Sequence, residues 1–567
     1  MTSAVNLEHP AAVTPAGDSA KERRRLPLVE QFLREQATLT AVERFAQLHD
    51  AGEPFARKDY YRDLLPASPP APGQQYAFQV DLDACTGCKA CVTACHNLNG
   101  LDPGEAWRSV GLLHGGTVTE AVQQSVTTAC HHCLDPACMN GCPVGAYEKD
   151  PETGIVKHLD DQCIGCQYCT FTCPYDVPKY SASRGIVRKC DMCSERLAVG
   201  EAPACVQACP NEAIAITIVD RRQVLEDAQG DAFVPGAPSP GITGPTTVYK
   251  TTRALPRNLL PADFYAVRPS HSHTPLVAML VLTQLSAGAF CVDALAPLVL
   301  PPSVSEALDP VHSLVAAAMG LAALGASVFH LGRPIYAFRA LIGLRTSWMS
   351  REILAFGAFA GLAILYAASF WTGALAHLLG AAPPSPAAAL SLREGLRFAV
   401  ATAGVAGVLC SVLIYHVTRR VWWAAPSTGF KFAMTAAVLG LATAELTLTL
   451  ARTPPPVSVA TGVARVLLLA AATKACGELL ALRHLRDKRY SDLRRTAVLL
   501  TRDLRGYLVA RYGLLAAGAA ATAWQLGAPL SLPAATAGLI LLLGGELLER
   551  TLFFAAMCSP GMPGGPA

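Results

Sequence analysis

Sixteen cysteines fall between Cys85 and Cys209, and their spacing constrains this chain more than any other feature. They form four groups. The first is Cys85, Cys88, Cys91 and Cys95, and the second is Cys130, Cys133, Cys138 and Cys142. The third is Cys163, Cys166, Cys169 and Cys173, and the fourth is Cys190, Cys193, Cys205 and Cys209. A compact loop with this spacing supplies three thiolates to a [4Fe–4S] cubane. The fourth cysteine, set before a proline, ligates the other cluster of a pair. Pro143, Pro174 and Pro210 occupy that place after groups two to four, whereas His96 follows the first. The groups therefore couple in twos. A zinc ribbon needs two cysteine pairs around one ion, which fits a fourfold repeat of four cysteines poorly. Disulfide scaffolds are short and secreted, unlike this chain of 567 residues. The other four cysteines (Cys291, Cys410, Cys476 and Cys558) lie in apolar surroundings and read as small buried hydrophobes.

Hydrophobic residues make up 51% of the sequence and charged residues 16%. That is too apolar for a wholly soluble protein and too charged for a wholly embedded one, so two parts should separate along the sequence. Residues 1–75 read as a helical extension, with Leu28, Val29, Phe32 and Leu33, then Val42, Phe45 and Leu48, at helical spacing. Residues 76–220 repeat a strand, a cysteine loop and a short helix. This predicts an α+β ferredoxin-like domain of two pseudo-symmetric modules, each holding a pair of [4Fe–4S] clusters. Residues 221–270, rich in Pro, Gly and Thr, read as a linker with little regular structure. Residues 271–560 predict an all-α membrane bundle of about eight spans, near 275–297, 311–330, 352–372, 397–418, 430–450, 457–482, 507–526 and 534–556. Each has the roughly 20 apolar residues that a bilayer crossing needs. Arg23, Arg24 and Arg25 precede a run with regular charges and no apolar core, so no export signal is expected. The net charge is +3 with no basic stripe, and no nucleic-acid partner is expected.

Ionisable residues inside spans are costly and mark partners or functional paths. Asp293, Glu352, Glu445, Arg465, Lys474, Glu478, Glu546, Glu549 and Arg550 are such residues. Lys474 with Glu478, and Glu546 with Arg550, are four apart and can pair on one helix face. His330 ends the second span in the run His330-Leu-Gly-Arg333-Pro, where a histidine beside an arginine can exchange protons with a quinol. Haem b needs histidine pairs within spans. His330, His377, His416 and His484 fall at span ends or in loops, and no haem is expected.

The four groups resemble the iron–sulfur subunit of molybdoenzymes of the dimethyl sulfoxide reductase type. In that family the first group pairs with the fourth and the second with the third. The resemblance implies one ligand set of Cys85, Cys88, Cys91 and Cys209, and a second of Cys190, Cys193, Cys205 and Cys95. It implies a third of Cys130, Cys133, Cys138 and Cys173, and a fourth of Cys163, Cys166, Cys169 and Cys142. Some relatives replace a third-group cysteine with tryptophan. Cys166 is present here, so four [4Fe–4S] clusters are expected. The second half resembles the membrane anchor subunit of the same enzymes, related to the polysulfide and nitrite reductase anchors. The runs from His330 to Pro334, Arg351-Glu352-Ile and Gly545 to Arg550 carry that likeness. It implies a quinol site at His330, with Arg333 and Glu352 beside it, in a fusion of two usually separate subunits.

Lysine and arginine concentrate in cytoplasmic loops. The loops after spans two, four and six hold fifteen (Arg333, Arg339, Arg345, Arg351, Arg419, Arg420, Lys431, Arg483, Arg486, Lys488, Arg489, Arg494, Arg495, Arg502 and Arg505), and the others only Arg393, Arg397 and Arg452. The cluster domain is therefore expected on the cytoplasmic face of a bacterial inner membrane. The resemblance implies an electron-transfer and anchor subunit linking a molybdopterin-containing catalytic subunit to the quinone pool, of dimethyl sulfoxide reductase or sulfite dehydrogenase type. The competing reading is a molybdenum-independent, quinone-coupled ferredoxin module, with proton coupling left open by Glu445, Arg465 and Lys474.

Overall fold

The computed structural model describes residues 27–38 and scattered positions up to 51, then 61–373, 385–451, 455–558 and 561–563. The protein divides into two units, 1–63 and 64–567. In the first, α1 (Leu28–Thr38) exposes Leu28, Val29, Phe32 and Leu33. A capping box follows: the Glu43 amide donates to Thr40 Oγ1 at 3.2 Å and the Thr40 amide donates to Glu43 Oε2 at 2.7 Å. Most of the second expected helix lies outside the described residues.

The second unit begins with the cysteine domain. Its strands are β1 (Gln74–Asp81), β2 (Ser109–Gly116), β3 (Ala121–Thr128), β4 (Tyr147–Lys149), β5 (Val156–His158), β6 (Lys179–Ser181), β7 (Ile186–Arg188), β8 (Ile214–Asp220), β9 (Val248–Lys250) and β10 (Leu260–Pro261). Its helices are α2 (Ala90–Leu98), α3 (Ala137–Gly141), α4 (Tyr168–Thr172), α5 (Ser194–Ala198), α6 (Ala204–Gln207) and α7 (Arg221–Gln229). β1 and β8 pair antiparallel from Gln74 opposite Asp220 to Val80 opposite Ile214. Their shared inward face buries Phe78 and Val80 opposite Ile216 and Ile214, so the apolar alternation fixes the register. That register decides how the cysteine groups meet. β1 runs directly into Cys85 and β8 leaves directly from Cys209, so the ladder brings the first and fourth groups together.

Residues 221–270 are more ordered than their composition suggests. Asp220 caps α7 through the amides of Arg222 and Gln223, and β9 adds parallel to β1. β10 pairs with β2, and the Thr246 hydroxyl donates to the His131 carbonyl at 2.7 Å. Pro and Gly forbid long ladders here but leave two- and three-residue strands available.

The remainder is helical: α8 (Thr274–Val299), α9 (Pro302–Val328), α10 (Trp348–Ser369), α11 (Pro386–His416), α12 (Ala425–Thr449), α13 (Val457–Leu479), α14 (Asp492–Thr501), α15 (Arg505–Trp524) and α16 (Leu532–Ala555). Seven of the helices among the described residues are long and apolar enough to cross a membrane. The eighth expected span is α15, which is long enough but carries Arg505 and Arg511. Small residues let the bundle close tightly. A Cβ on Gly288 would collide with the Ala436 carbonyl, and one on Gly440 with Gly288, where α8 crosses α12. The helix ends that reach the cysteine domain alternate along the sequence. They are the start of α8, the α9–α10 connection, the α11–α12 connection, the α13–α15 connection and the end of α16. The contacts include Phe171 with His273 and with Phe554, Gly343 with Pro143, and Arg420 with Phe171, while Tyr490 meets Phe264 just after β10.

Candidate functional site

The sixteen cysteines gather into four sets of four, the same sets that the resemblance implies. Set A is Cys85, Cys88, Cys91 and Cys209, which line one common hollow. Set B is Cys95, Cys190, Cys193 and Cys205. Set C is Cys130, Cys133, Cys138 and Cys173, which line another. Set D is Cys142, Cys163, Cys166 and Cys169. Among the described residues no three Cys, His, Asp or Glu side chains close tightly enough to hold a single metal ion. The thiols surround a space rather than a point.

Local backbone builds these sets. Lys89 and Gln167 sit at φ 64° and 59°, and Gly87 and Gly165 at 74° and 71°, which curls each three-cysteine loop around its cavity. Amides point at sulfur: Ala146 donates to Cys142 at 3.2 Å and Ala213 to Cys209 at 3.3 Å. The Thr243 hydroxyl donates to Cys133 at 3.3 Å. Burial pushes the Cys173 thiol up to about 11 and the Cys193 thiol up to about 12, so thiolates at these positions require bound cationic charge. One buried donor supports the same fit: Arg108 Nη2, beside the thiols of sets A and B, has no hydrogen-bond partner in the protein. Buried, thiolate-rich and donor-lined cavities suit iron–sulfur clusters.

The sets lie in a row. Cys91 of set A is beside Cys95 and Cys205 of set B, and Cys190 of set B is beside Cys130 of set C. The Tyr147 ring lies between Cys138 of set C and Cys169 of set D. At the outer end Cys88 is exposed. At the inner end Cys166, Tyr168 and Phe171 pack into the main core of the helical bundle, and Tyr168 donates to the Ile414 carbonyl at 2.7 Å.

His330, Arg333 and Glu352 all stand near set D but face different partners. His330 Nδ1 is hydrogen-bonded to the Ser327 carbonyl, and burial lowers its pKa. It lies near His273, whose pKa burial and the neighbouring His271 and His330 lower to about 4. Arg333 donates to the Asp160 carbonyl at 2.7 Å and lines an open groove on the cysteine domain. Glu352 is buried near Tyr168 and Tyr415 and accepts a hydrogen bond from Ser411. Sequence reasoning missed Tyr168, Ser411 and His273. One signal was present: the third loop is the group with aromatic residues inside it, Tyr168 and Phe171, as a loop that enters an apolar bundle requires.

Deeper in the bundle, Lys474 pairs with Glu478 at 2.9 Å, as the i,i+4 spacing predicts. Glu546 does not pair with Arg550. It bonds Arg511 at 2.9 Å and Lys474 at 3.2 Å, while Arg550 reaches Glu549 at 3.3 Å and Gln284 at 3.0 Å. Helices α13 and α15 outcompete the intrahelical contact. His312, inside α9, engages both ring nitrogens, with Thr447 and the Ala289 carbonyl, each at 2.9 Å. His377 lies outside the described residues.

Residues 122–219 match a 4Fe-4S dicluster domain, and residues 269–556, just over half of the sequence, match the DMSO reductase anchor subunit (DmsC). This protein belongs to the dimethyl sulfoxide reductase anchor family. Its cluster domain is similar to the B subunit of anaerobic dimethyl sulfoxide reductase from Escherichia coli, at 39% identity over 185 residues, which cover 31% of this sequence and 88% of that relative. The B subunit from Haemophilus influenzae is 35% identical over 189 residues, covering 32% of this sequence and 91% of the relative. The thiosulfate reductase electron transfer subunit PhsB of Salmonella typhi is 36% identical over 153 residues, covering 26% and 79%. The protein is thus a fusion of iron–sulfur and anchor parts, a membrane-anchored electron-transfer subunit of the dimethyl sulfoxide reductase type.

Proposed function

We propose that this protein carries electrons between a molybdopterin-containing catalytic partner and membrane quinone through four [4Fe–4S] clusters, one in each cysteine set. The observation that carries this reading is the row itself, from exposed Cys88 to Cys166 packed against the bundle core. When bound, the clusters supply one-electron transfer. The polypeptide supplies spacing, insulation and a path. The catalytic partner docks at set A, where the thiols approach the surface.

The quinone end lies between set D and the bundle, with His330 and Glu352 as the groups nearest to it. Quinol oxidation releases two protons with its two electrons, so acceptors must stand close to the electron exit. His330, kept neutral by burial, can take one proton at its free ring nitrogen. Glu352 can take the other, with Ser411 holding one carboxylate oxygen in place. Arg333 is a docking residue in this reading, since its guanidinium holds the set D loop through Asp160. A sulfite dehydrogenase-type partner would use the same wire, as would a sulfoxide or thiosulfate reductase, because substrate chemistry resides on the partner. Haem plays no part in the proposed path.

Membranes carrying His330→Gln or Glu352→Gln test this. Quinol-linked turnover is expected to fall by roughly 10²-fold, the scale of a lost general base. Turnover driven by a soluble one-electron dye that reduces the clusters directly should persist. Unchanged quinol-linked turnover in both variants would remove the quinone site from this region.

A further inference from the structure

Two buried cations stand in the gaps of the cluster row. Arg108, 2% exposed, precedes β2 and faces Cys91 of set A and Cys95, Cys190 and Cys205 of set B. Its Nη1 donates to Thr127 at 3.1 Å, and Thr127 in turn approaches Cys91 Sγ at 3.6 Å. The Phe78 ring covers its guanidinium at 4.6 Å. Lys189, also 2% exposed, follows β7 and faces Cys130 and Cys138 of set C and Cys190 of set B. Its Nζ donates to the Cys190 carbonyl at 2.8 Å and to Val156, and lies 3.7 Å from Cys130 Sγ. Among the described residues neither cation has a carboxylate within ion-pair distance. In the third gap, between sets C and D, stands the neutral Tyr147.

A cluster that takes up an electron gains one negative charge. In a low-dielectric interior a fixed cation a few ångströms away stabilises that reduced state far more than it would in water. Resting on the reading that each cysteine set holds one cubane, we propose that Arg108 and Lys189 are the fixed charges that tune this wire. Arg108 raises the potentials of the clusters in sets A and B, and Lys189 those in sets B and C. Set B, touched by both, receives the largest bias, and set D receives none. The wire is thereby divided into three clusters biased by a buried Arg or Lys and one membrane-side cluster without either, where His158 beside Cys163 is paired with Asp160 at 2.8 Å. The unpartnered Arg108 Nη2 is the donor through which set A or B is contacted.

Redox titration of the full complex in membranes, followed by electron paramagnetic resonance, tests the division. Arg108→Gln should lower the A and B midpoints by at least a tenfold change in the reduction equilibrium, 59 mV for one electron, and leave C and D in place. Lys189→Met should lower B and C and spare A and D. Arg108→Lys and Lys189→Arg, which keep the charge, should titrate near the wild type. Loaded Gln and Met variants with unmoved midpoints, or a shift of D equal to the others, would overturn the proposal. A wild-type protein that holds far fewer than about sixteen irons would instead overturn the four-cluster reading, and this inference with it. If the neutral variants fail to load, pulsed resonance on wild type labelled with ¹⁵N-arginine decides. A guanidinium nitrogen coupled to the A or B signal supports the assignment, and its absence overturns it.

Discussion

At the residue scale the membrane end of the wire depends on a few neutral polar groups held in an apolar setting. His273 is the clearest. Its folded pKa of about 4 lies below the 6.5 of an unfolded histidine, so the unfolded state binds the proton more tightly. Its contribution to stability is complete above pH 6.5 and is lost as pH falls toward 4. His330, displaced in the same direction, adds to the trend. Thermal unfolding from pH 7.5 to 5 should show a falling midpoint that flattens in His273→Asn, and an identical slope in that variant would refute the assignment. Tyr168→Phe removes one buried hydrogen bond, to Ile414, and should cost about 1 kcal/mol. Chemical denaturation of the solubilised complex reads that loss. Thiol positions were legible in the sequence because cluster ligation demands fixed intervals. Tyr168, Ser411 and His273 were not, because they act through neighbours far along the sequence: Ile414 is 246 residues from Tyr168.

At the element scale the docking of the set D loop on the α9–α10 connection is a backbone contact between glycines. Gly332 donates to the Gly165 carbonyl at 3.4 Å, and Arg333 to Ile164 at 3.0 Å. A Cβ on Gly332 would strike the Gly185 carbonyl. Gly332→Ala must push the loop off the bundle or strain both, at a cost of about 1–3 kcal/mol. Quinol-to-cluster electron transfer, read by rapid-mixing absorbance, should slow in that variant while dye-driven turnover holds. Normal rates would show that the contact does not govern the transfer. Element boundaries were legible where periodicity is strong, as in β1, β8 and most membrane helices. They were less so over 221–270, where short strands borrow partners from β1 and β2. α15 read as a span by length, but Arg511 in its interior lowers its apolarity. Only the fold reveals that Glu478 and Glu546 neutralise this residue.

At the scale of the whole molecule the question is which side of the membrane holds the clusters. The connections that touch the cysteine domain are also the basic ones. Part of that basicity serves docking rather than topology: Arg333, Arg339 and Arg420 donate to backbone carbonyls of Asp160, Asp161 and Phe171. Removing those three from the fifteen still leaves twelve at or near these connections against three at or near the opposite ones, a bias strong enough to orient a bundle. The proposed arrangement therefore has eight crossings, with α15 as the seventh, and the cluster domain in the cytoplasm. A thiol-reactive, membrane-impermeant label separates the alternatives. Cysteines introduced at Arg393, before the fourth crossing, and at Arg489, between the sixth and seventh, should label from opposite faces of intact cells, Arg393→Cys from outside and Arg489→Cys after lysis alone. If α15 does not cross, the end of α16 moves to the outer face and a cysteine at Gly561 labels from outside. Labelling of Gly561→Cys only after lysis requires the eighth crossing, because Ser270, which holds the start of the bundle, is hydrogen-bonded to Ala555 and Met557 at its end.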